Sequence, residues 1–288
     1  MLIGRRIEQT MTLPERPANF AKTLNRHGYG LQYSVLKAAE ELYNRHRSQW
    51  AFEVAEFPVA VKGYGTRIDF ILRHRDRPQF LLAECKRANP ALANWCFAAA
   101  PYVRRGRATE DVFAEHIFVG GNLDLLSSVK SLGAASQAYH VAVETRTTRP
   151  GDTEGSGRGA IEEAATQVCR GLNGLVQFFA DRQKLPNGWS ELVVSPVIVT
   201  TANLWSSEVD LSAADLATGE VPLDAAELSP QPYVMLQYHL SPGIKHGVRT
   251  YGMEPLGEVL DREFIRTVHI VNSKYVGDFL SYGSNAWQ

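Results

Sequence analysis

The sequence predicts an α/β fold: a central mixed β-sheet flanked by helices, with an irregular C-terminal elaboration. Three observations carry this reading. Segments with helical and strand character follow one another as helix, three strands, helix, strands, helix, strand, the order of a sheet covered by helices. The three early strands are closely spaced and read as an antiparallel meander, whereas the later ones are separated by enough chain to run parallel. Residues 66–73 (TRIDFILR) and 79–86 (QFLLAECK) are apolar on both faces, as strands in the middle of a covered sheet are.

The elements follow in order. Residues 1–17 show no period and read as an N-terminal arm on a single domain, 18–288. Residues 33–47 combine helix formers with an apolar face of Leu31, Val35, Ala39, Leu42 and Tyr43, which predicts a helix. Glu40 lies at the margin of that face and Glu41 further toward solvent. Residues 52–61 alternate loosely as a first strand, with Pro58 marking an edge position or a bulge. The HRDRP of 74–78 turns the chain between the second and third strands. Residues 91–102 (ALANWCFAAAPY) read as a short buried helix stopped near Pro101, and 103–111 as a basic turn. Strands are expected at 114–119 and 139–145, then a loop of Gly, Ser, Thr and charge at 147–159. A long helix at 160–184 is acidic at its start and basic at its end, as the helix dipole favours. A buried strand at 192–200, a Pro- and Asp-rich excursion over 203–262, a last strand at 266–272 and a last helix at 274–280 complete the chain.

With 288 residues, 44% of them apolar, the chain can bury a proper core. Its formal net charge of −1 excludes a generally basic nucleic-acid coat and leaves room for a local basic cleft. Cys85, Cys96 and Cys169 have the spacing of neither a disulfide framework nor a zinc site. No apolar run reaches membrane-spanning length, and the N-terminus lacks the apolar segment of a signal peptide. These features are those expected of a soluble protein of a reducing, cytoplasmic compartment.

If residues 66–73 and 79–86 pair about their turn, Asp69 falls opposite Glu84 and Ile71 opposite Leu82. Side chains alternate along strands, so Glu84 and Lys86 share a face with Asp69, while Phe70, Leu72, Leu81 and Ala83 take the other. Two carboxylates and an ammonium then meet at one end of a buried hairpin. Ionised groups there are costly without compensation, and a divalent cation would supply it.

A helix glutamate (Glu40 or Glu41), a strand aspartate (Asp69 in TRIDFIL) and Glu84-Cys85-Lys86 on the next strand resemble the PD-(D/E)xK nuclease superfamily, whose fold is restriction-endonuclease-like. The resemblance spans residues 30–200, and Ile68 stands where the name-giving proline would precede Asp69. It implies a restriction-endonuclease-like core and Mg²⁺- or Mn²⁺-dependent hydrolysis of phosphodiesters in DNA. The hard-oxygen ligands it implies are Asp69, Glu84, Glu40 and the backbone carbonyl of Cys85. Lys86 would orient the attacking water and offset anionic charge. Gln167, in EEAATQVCRGL, would position the nucleophile or the phosphate, although Gly171 replaces the tyrosine found in branches with that glutamine. Arg87, Arg104, Arg105 and Arg107 are candidates for phosphate contacts. The resemblance further suggests a homodimer, an activating partner or ligand, and a role in restriction or anti-phage defence. Against it stands a non-catalytic nucleic-acid-binding or assembly protein that keeps the fold, with Asp69, Glu84 and Lys86 as a structural ion cluster. Cys85 itself reads as a small buried filler.

Overall fold

The computed structural model describes residues 17–26, 28–102, 111–119, 125–134, 138–145, 159–222, 225–241 and 255–281. Residues 1–16 of the arm, residues 147–158 of the loop, and the candidates Arg104, Arg105 and Arg107 lie outside the described residues. Two helices, α1 (Pro17–Arg26) and α2 (Tyr29–Asn44), precede a meander of β1 (Trp50–Val61), β2 (Tyr64–His74) and β3 (Gln79–Lys86). Then come β4 (Asn94–Ala98), β5 (Asp111–Val119), β6 (Leu125–Ala134), β7 (Ala138–Tyr139) and β8 (Val141–Thr145). The long helix α3 (Gly159–Arg182) leads into β9 (Glu191–Thr200), β10 (Asn203–Ser207), β11 (Ser229–Gln231) and β12 (Tyr233–His239). A short helix α4 (Leu256–Val259), β13 (Ile265–Asn272) and α5 (Val276–Ser281) close the chain. Among the described residues no helix is long and apolar enough to cross a membrane.

The large sheet runs β1-β2-β3-β9-β13-β12-β7, with β5 and β6 joined beside β9. Its first three strands are antiparallel, β9 runs parallel to both β3 and β13, and β12 returns antiparallel, so the sheet is mixed. Two apolar layers cover it. On one face Val35 and Ala39 of α2 and Phe279 and Leu280 of α5 pack on Phe70, Leu72, Leu81 and Ala83. On the other, Ala164, Val168, Leu172 and Leu175 of α3 pack on Ile71, Leu82 and Ile198. A second sheet, β11-β10-β4-β8, adds Trp95, Phe97 and Leu204 to that same layer.

Three sequence expectations are corrected. Residues 91–102 are not a helix: a single 3₁₀ turn, Pro90–Leu92, leads into β4, where Trp95 and Phe97 are buried and Cys96 is half-buried. The alternation of the large side chains outweighs the helix propensity of the alanines. Residues 139–145 divide at His140 into β7 of the large sheet and β8 of the small one. The excursion at 203–262 contains β10 and a buried strand, β12, whose VMLQY core contrasts with its exposed ends. Its short apolar run is bounded by prolines at 230, 232 and 242, which disguise it as loop.

Two devices hold α3 and β9 in place. The carboxylate of Glu144 on β8 accepts the backbone N–H groups of Ala160 and Ile161, so a strand caps the otherwise unpaired N-terminus of α3. Pro196 sits inside β9, where a proline would ordinarily break a ladder. It falls between the residues that pair with β5 (Glu191–Val194) and those that pair with β13 (Val197–Thr200), at the point where that edge changes partner. The fully buried Arg266 of β13 bonds Glu115 of β5 across this junction, Nε to Oε1 at 2.8 Å. Breaking such a buried pair costs about 3–5 kcal/mol because one charge is left behind.

α3 lies close on the sheet through two glycines. A Cβ at Gly174 would stand 2.6 Å from Val59 Cγ2 and 2.7 Å from Val59 Cβ, which no side-chain rotation relieves. Gly174→Ala is expected to destabilise the protein by about 1–3 kcal/mol through overpacking. Urea unfolding checks this: a lower midpoint with unchanged slope is expected, and an unchanged midpoint would show that α3 does not seat against β1 here.

A candidate acidic active site where the hairpin opens

The site is built by the way the β2–β3 hairpin ends. The ladder pairs Arg73 with Phe80, Leu72 with Leu81, Ile71 with Leu82 and Phe70 with Ala83, so the next position sets Asp69 against Glu84, as the sequence anticipates. There the strands part. The Cys85 N–H donates to the Asp69 side chain, at 2.7 Å from Oδ2, and β2 continues with β1 alone as a two-stranded ribbon.

A slip in alternation accompanies the parting. Ile68 and Ile71 both pack into the α3 layer, while Phe70 and Leu72 pack under α2. Strict alternation would place Ile68 with Phe70. On β1 the same slip occurs opposite: Val54 and Phe57 join the α3 layer and Ala55 joins the α2 layer. Between them Glu56 adopts a left-handed φ of 54°, a conformation non-glycine residues seldom take. The slip points in the two strands are Glu56 and Asp69, and both side chains line an open cavity of about 550 Å³.

Glu84, Lys86, Arg67, Gln32, Glu163 and Gln167 also line it. Lys86 Nζ pairs with Glu163 Oε2 at 2.7 Å. Gln32 on α2 donates from Nε2 to Glu56 Oε1 at 2.7 Å and to the Asp69 carbonyl at 3.0 Å. Arg67 Nη1 lies 2.8 Å from Glu56 Oε2. Gln167 Oε1 is buried and lacks a hydrogen-bond partner among the described residues. Arg87 reaches the rim and donates from Nη1 to the Asn25 carbonyl at 3.1 Å.

The electrostatics divide the carboxylates. Burial pushes Glu84 up to about 8, helped by the Asp69 charge and opposed by Lys86. Burial likewise raises Asp69 to about 6 against the stabilising Cys85 N–H bond, with Glu56 adding repulsion. Burial works against ionised Glu56 too, but its Gln32 and Arg67 contacts prevail and hold it below the usual carboxylate range. Burial first, then the neighbouring Asp69 and Glu84 charges, drives the Cys85 thiol well above its ordinary value, which disfavours the thiolate that a nucleophilic cysteine needs.

The structure brings Asp69, Glu84, Lys86, Gln167, Arg87 and Cys85 to one cavity. Glu40 and Glu41 it does not. Both are exposed on α2, and Glu41 lies 4.0 Å from Lys37. The residue that α2 turns to the cavity is Gln32, 4% exposed, about two helical turns earlier. A polar residue on the stripe Gln32, Val35, Ala39 was the available signal. Glu163 had one as well, four residues before Gln167 on the same helix face. Glu56 had none beyond its place beside Pro58, because the slip comes from the pairing of two strands.

Among the described residues no three His, Cys, Asp or Glu side chains stand gathered as a metal-ligand set. The donors nevertheless suit a hard cation: Asp69 and Glu84 repel one another, and Gln167 offers an unsatisfied amide oxygen. Two carboxylates and the Cys85 carbonyl would suit Mg²⁺, which keeps several of its waters. Compared with known proteins, the chain matches no family model, no curated protein and no solved structure.

The raised Glu84 gives a pH signature. It binds its proton more tightly folded than unfolded, so its stabilising contribution is full below the ordinary value of 4.5 and is lost as pH rises through about 8. In EDTA, Glu84→Gln is expected to melt near wild type at pH 4.5 and above it at pH 9. Melting curves across that range check this, and a gap that does not change with pH would show that Glu84 titrates normally.

Proposed function

We propose that the chain is a divalent-cation-dependent nuclease of restriction-endonuclease-like fold that hydrolyses phosphodiester bonds in DNA. The observation that carries the reading is that Asp69, Glu84, Lys86 and Gln167, whose buried amide oxygen has no partner among the described residues, line one open cavity. Such a set matches the needs of the reaction: ligands for a hard cation, a cation to offset phosphate charge, and an amide to fix the nucleophile.

A divalent ion held by Asp69, Glu84 and the Cys85 carbonyl would supply Lewis-acid stabilisation of the charge on the phosphate. The remaining work belongs to side chains. The Glu163 carboxylate holds the Lys86 ammonium at 2.7 Å beside the carboxylates, where it orients a water by hydrogen bond and offsets growing negative charge. The water gives up a proton to solvent as its oxygen bonds to phosphorus, the ester P–O bond breaks, and the leaving oxygen takes a proton from solvent through the open cavity. Gln167 positions the water or a phosphate oxygen. Arg67 and Arg87 at the rim offer contacts to flanking phosphates. Cleavage of both strands of a duplex would call for two such sites, and so for a homodimer. A role in restriction or anti-phage defence, in the cytoplasm, is the setting this chemistry suits.

The Lys86–Glu163 pair also fits a second reading, a non-catalytic protein that retains these charges as a structural cluster. A cleavage assay on plasmid, linear and single-stranded DNA and on RNA, with Mg²⁺, Mn²⁺ or EDTA, separates the two. Metal-dependent cutting that falls by about 100-fold or more in Lys86→Ala and Asp69→Asn is expected. Cutting undiminished in Asp69→Asn would sink the assignment, and absence of cutting together with no Mg²⁺ or Mn²⁺ binding by calorimetry would favour the structural reading.

A further inference from the structure

A second cavity, of about 430 Å³, opens at the opposite end of the same hairpin. Its walls are the loop after α2, the turn between β2 and β3, and the end of α5 at Leu280 and Ser281. The Arg75 N–H donates to the Gln49 carbonyl at 2.8 Å, the Arg75 guanidinium lies 4.9 Å over the Tyr43 ring, and His74 meets Trp50 edge-on at 5.2 Å. Locked together, the two loops carry Arg45, Arg47, Arg75 and Arg77, all exposed. Arg47 and Arg77 line the cavity, against one carboxylate, Asp76, among its described lining residues. Four guanidinium groups in touching loops create a positive field that favours an anion.

The cavity is also shaped for more than a bare ion. Its volume lies within the range of small-ligand sites. Trp50, 2% exposed, and His74 give it an aromatic wall, and Gln49 and Gln79 offer amides. His46 adds a separate observation. It follows α2 with φ 55°, its N–H on the Tyr43 carbonyl and the Arg47 N–H on the Leu42 carbonyl, the helix-ending motif in which glycine is favoured. A histidine there strains the backbone, and its side chain lines the cavity. Strain of this kind, retained at a cavity wall, directs attention to the side chain.

We propose that this cavity binds a phosphate-bearing small molecule of nucleotide size: the arginines take the phosphate, and the Trp50–His74 wall with the glutamine amides takes the remainder. The site shares none of its lining residues with the acidic pocket, so the proposal stands or falls apart from the nuclease reading.

The test is calorimetry on the full chain in EDTA, titrated separately with pyrophosphate, AMP and a 12-nucleotide single-stranded DNA. AMP and pyrophosphate are expected to bind, and Arg47→Ala/Arg77→Ala to weaken both by about tenfold or more. His46→Gly is expected to melt at or above the wild-type temperature and still bind AMP more weakly, a combination that misfolding cannot produce. Asp69→Asn should bind AMP as wild type does. Silence of AMP and pyrophosphate, binding of the oligonucleotide alone, or equal AMP affinity in both arginine and histidine variants would each overturn the proposal.

Discussion

Everything at the acidic pocket depends on one hydrogen bond, from the Cys85 N–H to Asp69 Oδ2. Had Asp69 paired with Glu84 in the ordinary ladder, β2 and β3 would have continued side by side and both carboxylates would have stayed within the sheet's face. The Asp69 side chain replaces a backbone carbonyl as the acceptor, so the ladder ends without leaving a buried N–H unsatisfied. From that point β3 stays with β9, β2 stays with β1, and the gap between them is the cavity. The slip at Glu56 belongs to the same event, since a two-stranded ribbon freed from β3 can shift its alternation while the central sheet cannot.

The elements legible in the sequence are those whose signal is local. Apolar runs with turn residues between them located β1, β2, β3, β9 and β13, and the dipole-biased helix located α3. The register that sets Ile71 against Leu82 followed from the short turn, and with it the approach of Asp69 to Glu84. What could not be read was set by distant pairing. β4 needs β10 and β8 as neighbours before Trp95 and Phe97 make sense as alternate positions rather than one helical face. Gln32 rather than Glu40 faces the cavity because α2 is rotated by its packing on Phe70 and Leu81 and by its bonds to Glu56 and Asp69. A glutamate at the edge of an apolar stripe gives no hint of which end of the helix overhangs the hairpin.

The charges fall into two groups that a net charge of −1 conceals. The strand ends at Asp69 and Glu84 gather carboxylates, and the strand ends at His74 and Gln79 gather guanidiniums. The two cavities lie at opposite ends of one rigid hairpin and are separated by its fully apolar middle, Phe70–Leu72 against Leu81–Ala83. That middle keeps them from neutralising one another. Each therefore keeps an excess of one sign, and each favours ligands of the opposite sign: cations at the carboxylate end, anions at the arginine end.

At the carboxylate end the buried charges are unevenly compensated. Arg67 and Gln32 compensate Glu56, and Lys86 is shared with Glu163, so at Glu84 burial and the repulsion of Asp69 outweigh the attraction of Lys86. A sequence optimised for stability alone would place a glutamine or an apolar residue at one of these positions, because replacing buried charges is often neutral or favourable. The arrangement makes physical sense if compensation arrives from outside: an entering cation would offset the Asp69–Glu84 repulsion and could give the Gln167 oxygen a partner, directly or through water. The repulsion between Asp69 and Glu84 would then be one contribution to cation affinity, because binding relieves it.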